Sequence, residues 1–335
     1  MKLFTKLTII ATILVISLCL LYIVLRRRGC LDGLKHQYRV VERGQQREGL
    51  IPVVLLQDTN IGNQLSNLAL AIYDAHSRNK HTLNIQIKGK AEKIKLFEGL
   101  KKIQWNTQDI VGTCCPKIAS ESHCGDCFWE YGDHIFNVAI PLQRTLRPML
   151  HPVESHELVV HFRCGDAPFD RNGSYALLLD SYYAEAVRIL DASISKKVVV
   201  LHCFNHFRPA PGSNISEEQV ERMVPLYLEH LINLMKRLCP YANVQHMCQS
   251  IDEDFATMIM ANKFIACTSS MSRFAALLRR KKTVAVTPSP HVFKQGDTPM
   301  PRNITQLPFN KYTLKHERVK DYKEVPNVFN LLSGG

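Results

Sequence analysis

The chain has 335 residues, 46% of them hydrophobic, and a net charge of +12. That length and apolar content suffice for one large or two medium domains with cores, and the sequence shows no internal repeat or low-complexity tract. The basic residues are scattered and aromatics make up only 8%. This argues against a nucleic-acid face and suits an anionic ligand or membrane surface equally well.

Residues 1–6 form a short tail. Leu7 to Leu25 then carries no charged residue. As a helix this stretch spans about 28 Å, close to a bilayer core. Arg26-Arg27-Arg28 stands where a signal peptide would need small residues, so a retained transmembrane anchor is expected over a cleaved leader. Flanking charge would keep the bulk of the chain in the cytosol. Two features argue for the lumenal side. The chain has 11 cysteines, a usage that suits an oxidising compartment. It also has three glycosylation sequons, at Asn172, Asn214 and Asn303. A single-pass type II arrangement follows.

Residues 26–50 are polar and read as a stem. Ile51–Leu56 predicts a strand. Leu65, Leu68, Ala69, Ile72 and Ala75 recur at helical spacing, and Leu83–Ile87 predicts a second strand. Residues 114–129 form a cysteine-rich loop. Strands are predicted at Leu158–Phe162, Val198–Cys203, Asn243–Met247, Phe264–Ala266 and Thr283–Val286. Helices are predicted from a Ser181 cap to Leu190, from a Ser216/Gln219 capping box to Leu238 with a kink at Pro225, over Asp252–Asn262, and over Ser270–Arg280. Such βα alternation predicts a mainly parallel sheet covered by helices.

Three polar segments could hold a ligand. Asp58-Thr59-Asn60-Ile61-Gly62-Asn63-Gln64 joins the first strand to its helix, with a glycine turn and free amides. Ordinary turn chemistry would explain it if it stood alone. His161-Phe162-Arg163-Cys164-Gly165-Asp166 ends a buried strand, and an arginine fork there suits phosphate. A plain strand-end ion pair between Arg163 and Asp166 is the simpler alternative. Cys267-Thr268-Ser269-Ser270-Met271-Ser272 offers more hydroxyls at a helix start than capping requires.

Cys114, Cys115, Cys124 and Cys127, with His123, fit disulfides better than zinc, because adjacent cysteines suit a zinc site poorly. Cys203, Cys239, Cys248 and Cys267 are read as paired or as buried thiols, and Cys19 lies in the anchor. His202 and His206 are read as structural histidines ahead of pocket residues. Arg279-Arg280-Lys281-Lys282 is favourable charge at a helix C-terminus.

The Gly-Asn-Gln segment at 62–64 resembles a motif near the start of α-1,2-fucosyltransferases. His161–Asp166 resembles the His-x-Arg-Arg-Gly-Asp motif of that family and of protein O-fucosyltransferases. Asp254–Phe274 is similar to their third block, and the three occur in family order across 51–290. The resemblance implies a GT-B-like α/β fold, with two Rossmann-like βα domains facing a cleft behind the N-terminal transmembrane helix. Residues 51–155 would form the acceptor side and 156–335 the GDP-sugar side. It further implies an inverting hexosyltransferase-type enzyme on the Golgi membrane that takes fucose from GDP-fucose to a glycan or glycoprotein hydroxyl, with no cofactor, no obligatory metal and no nucleic-acid partner. Arg163 matches the arginine that neutralises the diphosphate. Gly62, Asn63, His161, Asp166, Ser269, Ser270 and Ser272 match the donor site. Cys164 replaces a second arginine, and Arg273-Phe274 stands where aromatics often occur. Asp58, Asp126, Glu130 and Asp166 all remain open as general base. The rivals are a protein O-fucosyltransferase or other nucleotide-sugar transferase, an inactive membrane-anchored glycan or nucleotide binder, and an anionic-lipid or nucleic-acid binder.

Overall fold

The computed structural model describes residues 53–56, 61–110, 138–150, 152–163, 177–202, 217–279, 282–288, 303–313 and 332–333. The anchor at 7–25, the stem, the cysteine-rich loop, Cys203 and His206 lie outside these. Among the described residues no helix is long and apolar enough to cross a membrane.

The first half opens with β1 (Val53–Leu56), followed by helix α1 (Ile61–Ser77), β2 (Thr82–Ile87) and β3 (Lys102–Gln104). β1 pairs with β2 in parallel and β2 with β3 antiparallel. The helical stripe read from the sequence is the buried face of α1: Leu65, Leu68, Ile72 and Ala75 have no exposure and Ala69 has 3%. α2 (Ala139–Leu146) follows. Neither α2 nor β3 is foreshadowed by the sequence pattern. A three-residue strand and a helix carrying a proline give too short a periodic signal. With one antiparallel strand among three, the described part of this half is simpler than the Rossmann-like domain expected.

The second half holds β4 (Leu158–His161), α3 (Asp180–Ile189), β5 (Lys197–Leu201), α4 (Glu217–Leu238), β6 (Asn243–Met247), α5 (Ile251–Met260), β7 (Lys263–Ile265), α6 (Ser270–Leu278), β8 (Val284–Pro288), β9 (Ile304–Leu307) and α7 (Phe309–Tyr312). All six strands run parallel in the order β6-β5-β4-β7-β8-β9. Counted from β4, this is the doubly wound order of dinucleotide-binding folds, whose direction of winding reverses between the first and fourth strands. Parallel strands need cover on both faces, and their residues are accordingly apolar in unbroken runs. Val159, Val199, Phe264 and Ala285 face one side, under Phe255, Met258 and Phe274 of α5 and α6. Leu158, Val160, Val198, Val200 and Val286 face the other, under Tyr182 of α3 and Tyr227 and Leu231 of α4. The Tyr182 hydroxyl, fully buried, donates to the Ala266 carbonyl at 2.7 Å and so ties α3 to the end of β7.

Several helix ends differ from expectation. α3 starts at Asp180 behind Leu179, which makes no side-chain cap bond, so Ser181 is not its cap. α5 begins at Ile251, one residue ahead of the expected Asp252–Asn262 helix, behind a Ser250 cap: Ser250 Oγ accepts the Glu253 N–H at 3.3 Å and Glu253 accepts the Ser250 N–H at 3.0 Å. Pro225 sits inside α4. Arg279 does not serve its own helix. Almost fully buried at 1% exposure, it donates to the carbonyls of Met258, Ala261 and Asn262, closing the C-terminus of neighbouring α5. Its guanidinium also lies 5.5 Å from the Phe264 ring centre. Gln143 and Arg147 in turn donate to the Leu277 and Leu278 carbonyls at the end of α6.

The two halves share one apolar core rather than keeping separate ones. Leu65, Leu68 and Leu142 of the first half join Phe255, Phe274 and Leu278 of the second in a single cluster. Asp252 adds a polar tie, accepting the Lys95 and Leu96 N–H groups at 3.2 and 3.0 Å.

Candidate functional site

The winding of the main sheet reverses between β4 and β7. The helices after these two strands depart to opposite faces there, leaving a crevice at the carboxyl ends where ligands of such sheets bind. The polar segments at His161–Arg163 and Cys267–Ser272 follow these two strands. The described parts of two distant motifs thus meet where the topology places a site.

The third motif joins them through Gly62. In the first turn of α1, Gly62 packs directly on the start of α6. A Cβ at this position would collide with Ser270 Oγ and lie 2.6 Å from the Met271 backbone nitrogen. Only glycine lets the two helix N-termini approach this closely. Neither helix carries an acidic residue in its first turn. The positive dipole ends of the two helices are thus brought close together, and neither helix neutralises its own with a carboxylate in the first turn.

The four hydroxyls at the start of α6 have separate tasks. Ser269, 3% exposed, is the N-cap and accepts the Ser272 N–H at 3.3 Å. Ser270 abuts Gly62. Ser272 has no exposure and contacts His161 Nδ1 and, at 3.3 Å, the Cys267 sulfur. The expectation that Ser272 meets the donor directly is therefore revised. Its hydroxyl is enclosed and faces the His161 ring.

Burial pushes the His161 imidazole down to about 4; the Asp254 carboxylate opposes this and the Arg163 guanidinium reinforces it. Burial also raises the Cys267 thiol, partly offset by Ser272 and by the backbone N–H groups of Ser269 and Arg163. His161 and Cys267 are thus both neutral near pH 7. Arg163, partly buried, supplies the cation at the strand end.

Asp254 of α5 carries a role the sequence analysis did not assign. It is 6% exposed, and its charge bears on His161. The available signal was an aspartate followed by Phe255 and Ala256, ahead of Met258, Ile259 and Met260 on the same helix. A carboxylate in such a setting needs a polar reason to be there.

Other expected residues are placed as follows. Asn63 lies in the first turn of α1, but its side chain falls outside the described residues, as do Asp58, Asp126, Glu130, Cys164, Asp166, Asn172, Asn214 and the cysteines at 114–127. His202 is structural in its contacts: Nδ1 bonds the Phe162 carbonyl at 2.9 Å. The Asn303 amide donates to the Thr283 carbonyl at 2.8 Å, so a glycan there would require that bond to open. Cys239 and Cys267 are free and buried, and Cys248 is free and exposed. Among the described residues no three His, Cys, Asp or Glu side chains cluster closely enough to hold a metal ion.

No family model matches the chain, and no curated protein matches it. Among solved structures, the E. coli heptosyltransferase WaaC with ADP-2-deoxy-2-fluoro heptose is similar over 56% of this chain and 48% of its own, at 16% identity and a TM-score of 0.28. The match thus spans about half of that protein's length, and likeness of this degree assigns neither fold family nor function.

Proposed function

We propose that the chain is an inverting glycosyltransferase that moves fucose from GDP-fucose to a glycan hydroxyl, in α-1,2 linkage on galactose. Residues 7–25 would anchor it in the Golgi membrane with the catalytic part lumenal, and no metal would be required. The observation that carries the reading is the arrival of Arg163, at the end of β4, beside Cys267 at the winding reversal of a parallel sheet, where the start of α6 packs on Gly62 of α1. That is an anion site built from one guanidinium and two helix starts. The ordered resemblance of the three segments supplies the sugar and the nucleotide.

In the proposed step the C1–O bond to GDP breaks as a bond forms from C1 to the acceptor oxygen. Positive charge gathers on the sugar ring and negative charge on the departing diphosphate. Arg163 and the helix starts would hold the diphosphate more strongly as its charge grows, which lowers the barrier rather than only the binding energy. The acceptor proton must leave to a base. His161 is a poor candidate, since its imidazole is protonated only near pH 4.

The test is transfer from a panel of GDP- and UDP-sugars to mixed glycan acceptors, with wild type and Arg163→Ala. The expected result is fucose transfer from GDP-fucose only, falling about 100- to 1000-fold in the variant. Undiminished turnover in Arg163→Ala, or a preference for a UDP-sugar, overturns the assignment.

A further inference from the structure

The hydrogens around Cys267 fix the tautomer of His161. The backbone N–H groups of Ser269 and Arg163 act on the sulfur and favour its charged form. The thiol hydrogen has two candidate acceptors, His161 Nδ1 and Ser272 Oγ, each at 3.3 Å. Ser272 Oγ already accepts the Cys267 N–H at 3.3 Å and also lies against His161 Nδ1. Suppose the ring hydrogen sat on Nδ1. It and the Cys267 N–H would fill both lone pairs of Ser272, and Nδ1 would have none to offer. The buried thiol hydrogen would then have no acceptor. With the ring hydrogen on Nε2, the Ser272 hydroxyl donates to Nδ1 while its oxygen takes the Cys267 N–H and S–H. The Cys267 N–H, the thiol hydrogen and the Ser272 hydroxyl hydrogen then each have an acceptor, and only the ring hydrogen on Nε2 is left over. If the thiol and the hydroxyl exchange roles at Nδ1, the ring tautomer stays the same. Among the described residues His161 Nε2 has no hydrogen-bond partner.

We infer that Ser272, together with Cys267, is a positioning residue that locks His161 as its Nε2–H form, so that His161 presents a standing N–H donor to a ligand oxygen. The oxygen it serves is one of the donor diphosphate, and this part rests on the nucleotide-sugar reading above. Ser272 thereby supports binding without touching the ligand. The depressed proton affinity of the ring keeps the donor in place through neutral and mildly acid pH.

The experiment is long-range proton–nitrogen NMR on full-length protein in detergent, labelled with 15N-histidine, the His161 signals being assigned by their loss in His161→Gln. The expected spectrum has a protonated Nε2 and a bare Nδ1 from pH 5.5 to pH 8. A hydrogen on Nδ1, or rapid exchange between the two nitrogens, overturns the tautomer assignment. Ser272→Ala should shift His161 toward a mixture of tautomers and weaken GDP binding about three- to tenfold, the loss of one hydrogen bond. An unchanged His161 spectrum in Ser272→Ala also overturns the inference. Wild-type protein with the expected tautomer but no affinity for GDP overturns the ligand assignment alone and leaves the tautomer standing.

Discussion

Gly62→Ala tests the convergence on which the site depends. The added methyl would stand 2.6 Å from the Met271 nitrogen, which is backbone and cannot rotate aside, and would overlap Ser270 Oγ. Ordinary contact begins at about 3.4 Å, so the starts of α1 and α6 must part by roughly 0.8 Å, a misfit of the kind that overpacked cores resist at about 1–3 kcal/mol. Alanine's better helix propensity returns up to about 1 kcal/mol, less at a first turn than mid-helix. A net loss of about 1–2 kcal/mol is expected in urea unfolding. The effect on ligand should be larger than the effect on stability, since displacing positioned groups by about 1 Å can cost on the order of 100-fold in rate. Calorimetric titration with GDP alongside the unfolding curve separates the two. A variant as stable as wild type that binds GDP equally well would falsify the close approach of the helix starts.

Acid should weaken the fold through His161. The ring is held at about 4 against an ordinary 6.5, so between those values the unfolded chain takes up more protons than the folded one. The stability this represents is complete above pH 6.5 and drains away as pH falls toward 4. About 2 kcal/mol should be lost between pH 7 and pH 5. Urea unfolding of wild type and His161→Gln at both values checks this, and equal acid losses in the two refute it. Arg279→Met keeps the volume of the side chain but leaves the Met258, Ala261 and Asn262 carbonyls without their donor. A loss of about 2–4 kcal/mol is expected in thermal or urea unfolding, and a neutral result shows that water replaces the guanidinium.

Five of the six strands of the main sheet were legible because they are short apolar runs between amphipathic helices, and local pattern reports local structure; the edge strand β9 was not expected. β4, β5 and β6 fall where Leu158, Val198 and Asn243 begin their runs, and the stripe from Leu65 to Ala75 lies inward as its spacing required. β3 escaped, because three residues with one buried member carry no period. Helix ends fared worst: the Leu179 cap position of α3 has no capping side chain to betray it, and the Ser250–Glu253 box sets the start of α5 one residue ahead of the helix expected there.

The sequence alone determined which residue types could meet an anion, and where each stood relative to a strand or helix end. It could not determine their separation in space. That Ser272 faces His161 rather than solvent, that Arg279 closes a helix other than its own, and that Asp254 bears on His161 all depend on contacts between residues far apart along the chain. The same holds for the shared core of the two halves, which forms only when α1 and α2 lie against α6. Periodicity shows that a face is apolar and leaves its partner unnamed, because burial rewards any apolar neighbour alike; shape, hydrogen-bond demand and the space left by a missing Cβ at Gly62 make the choice.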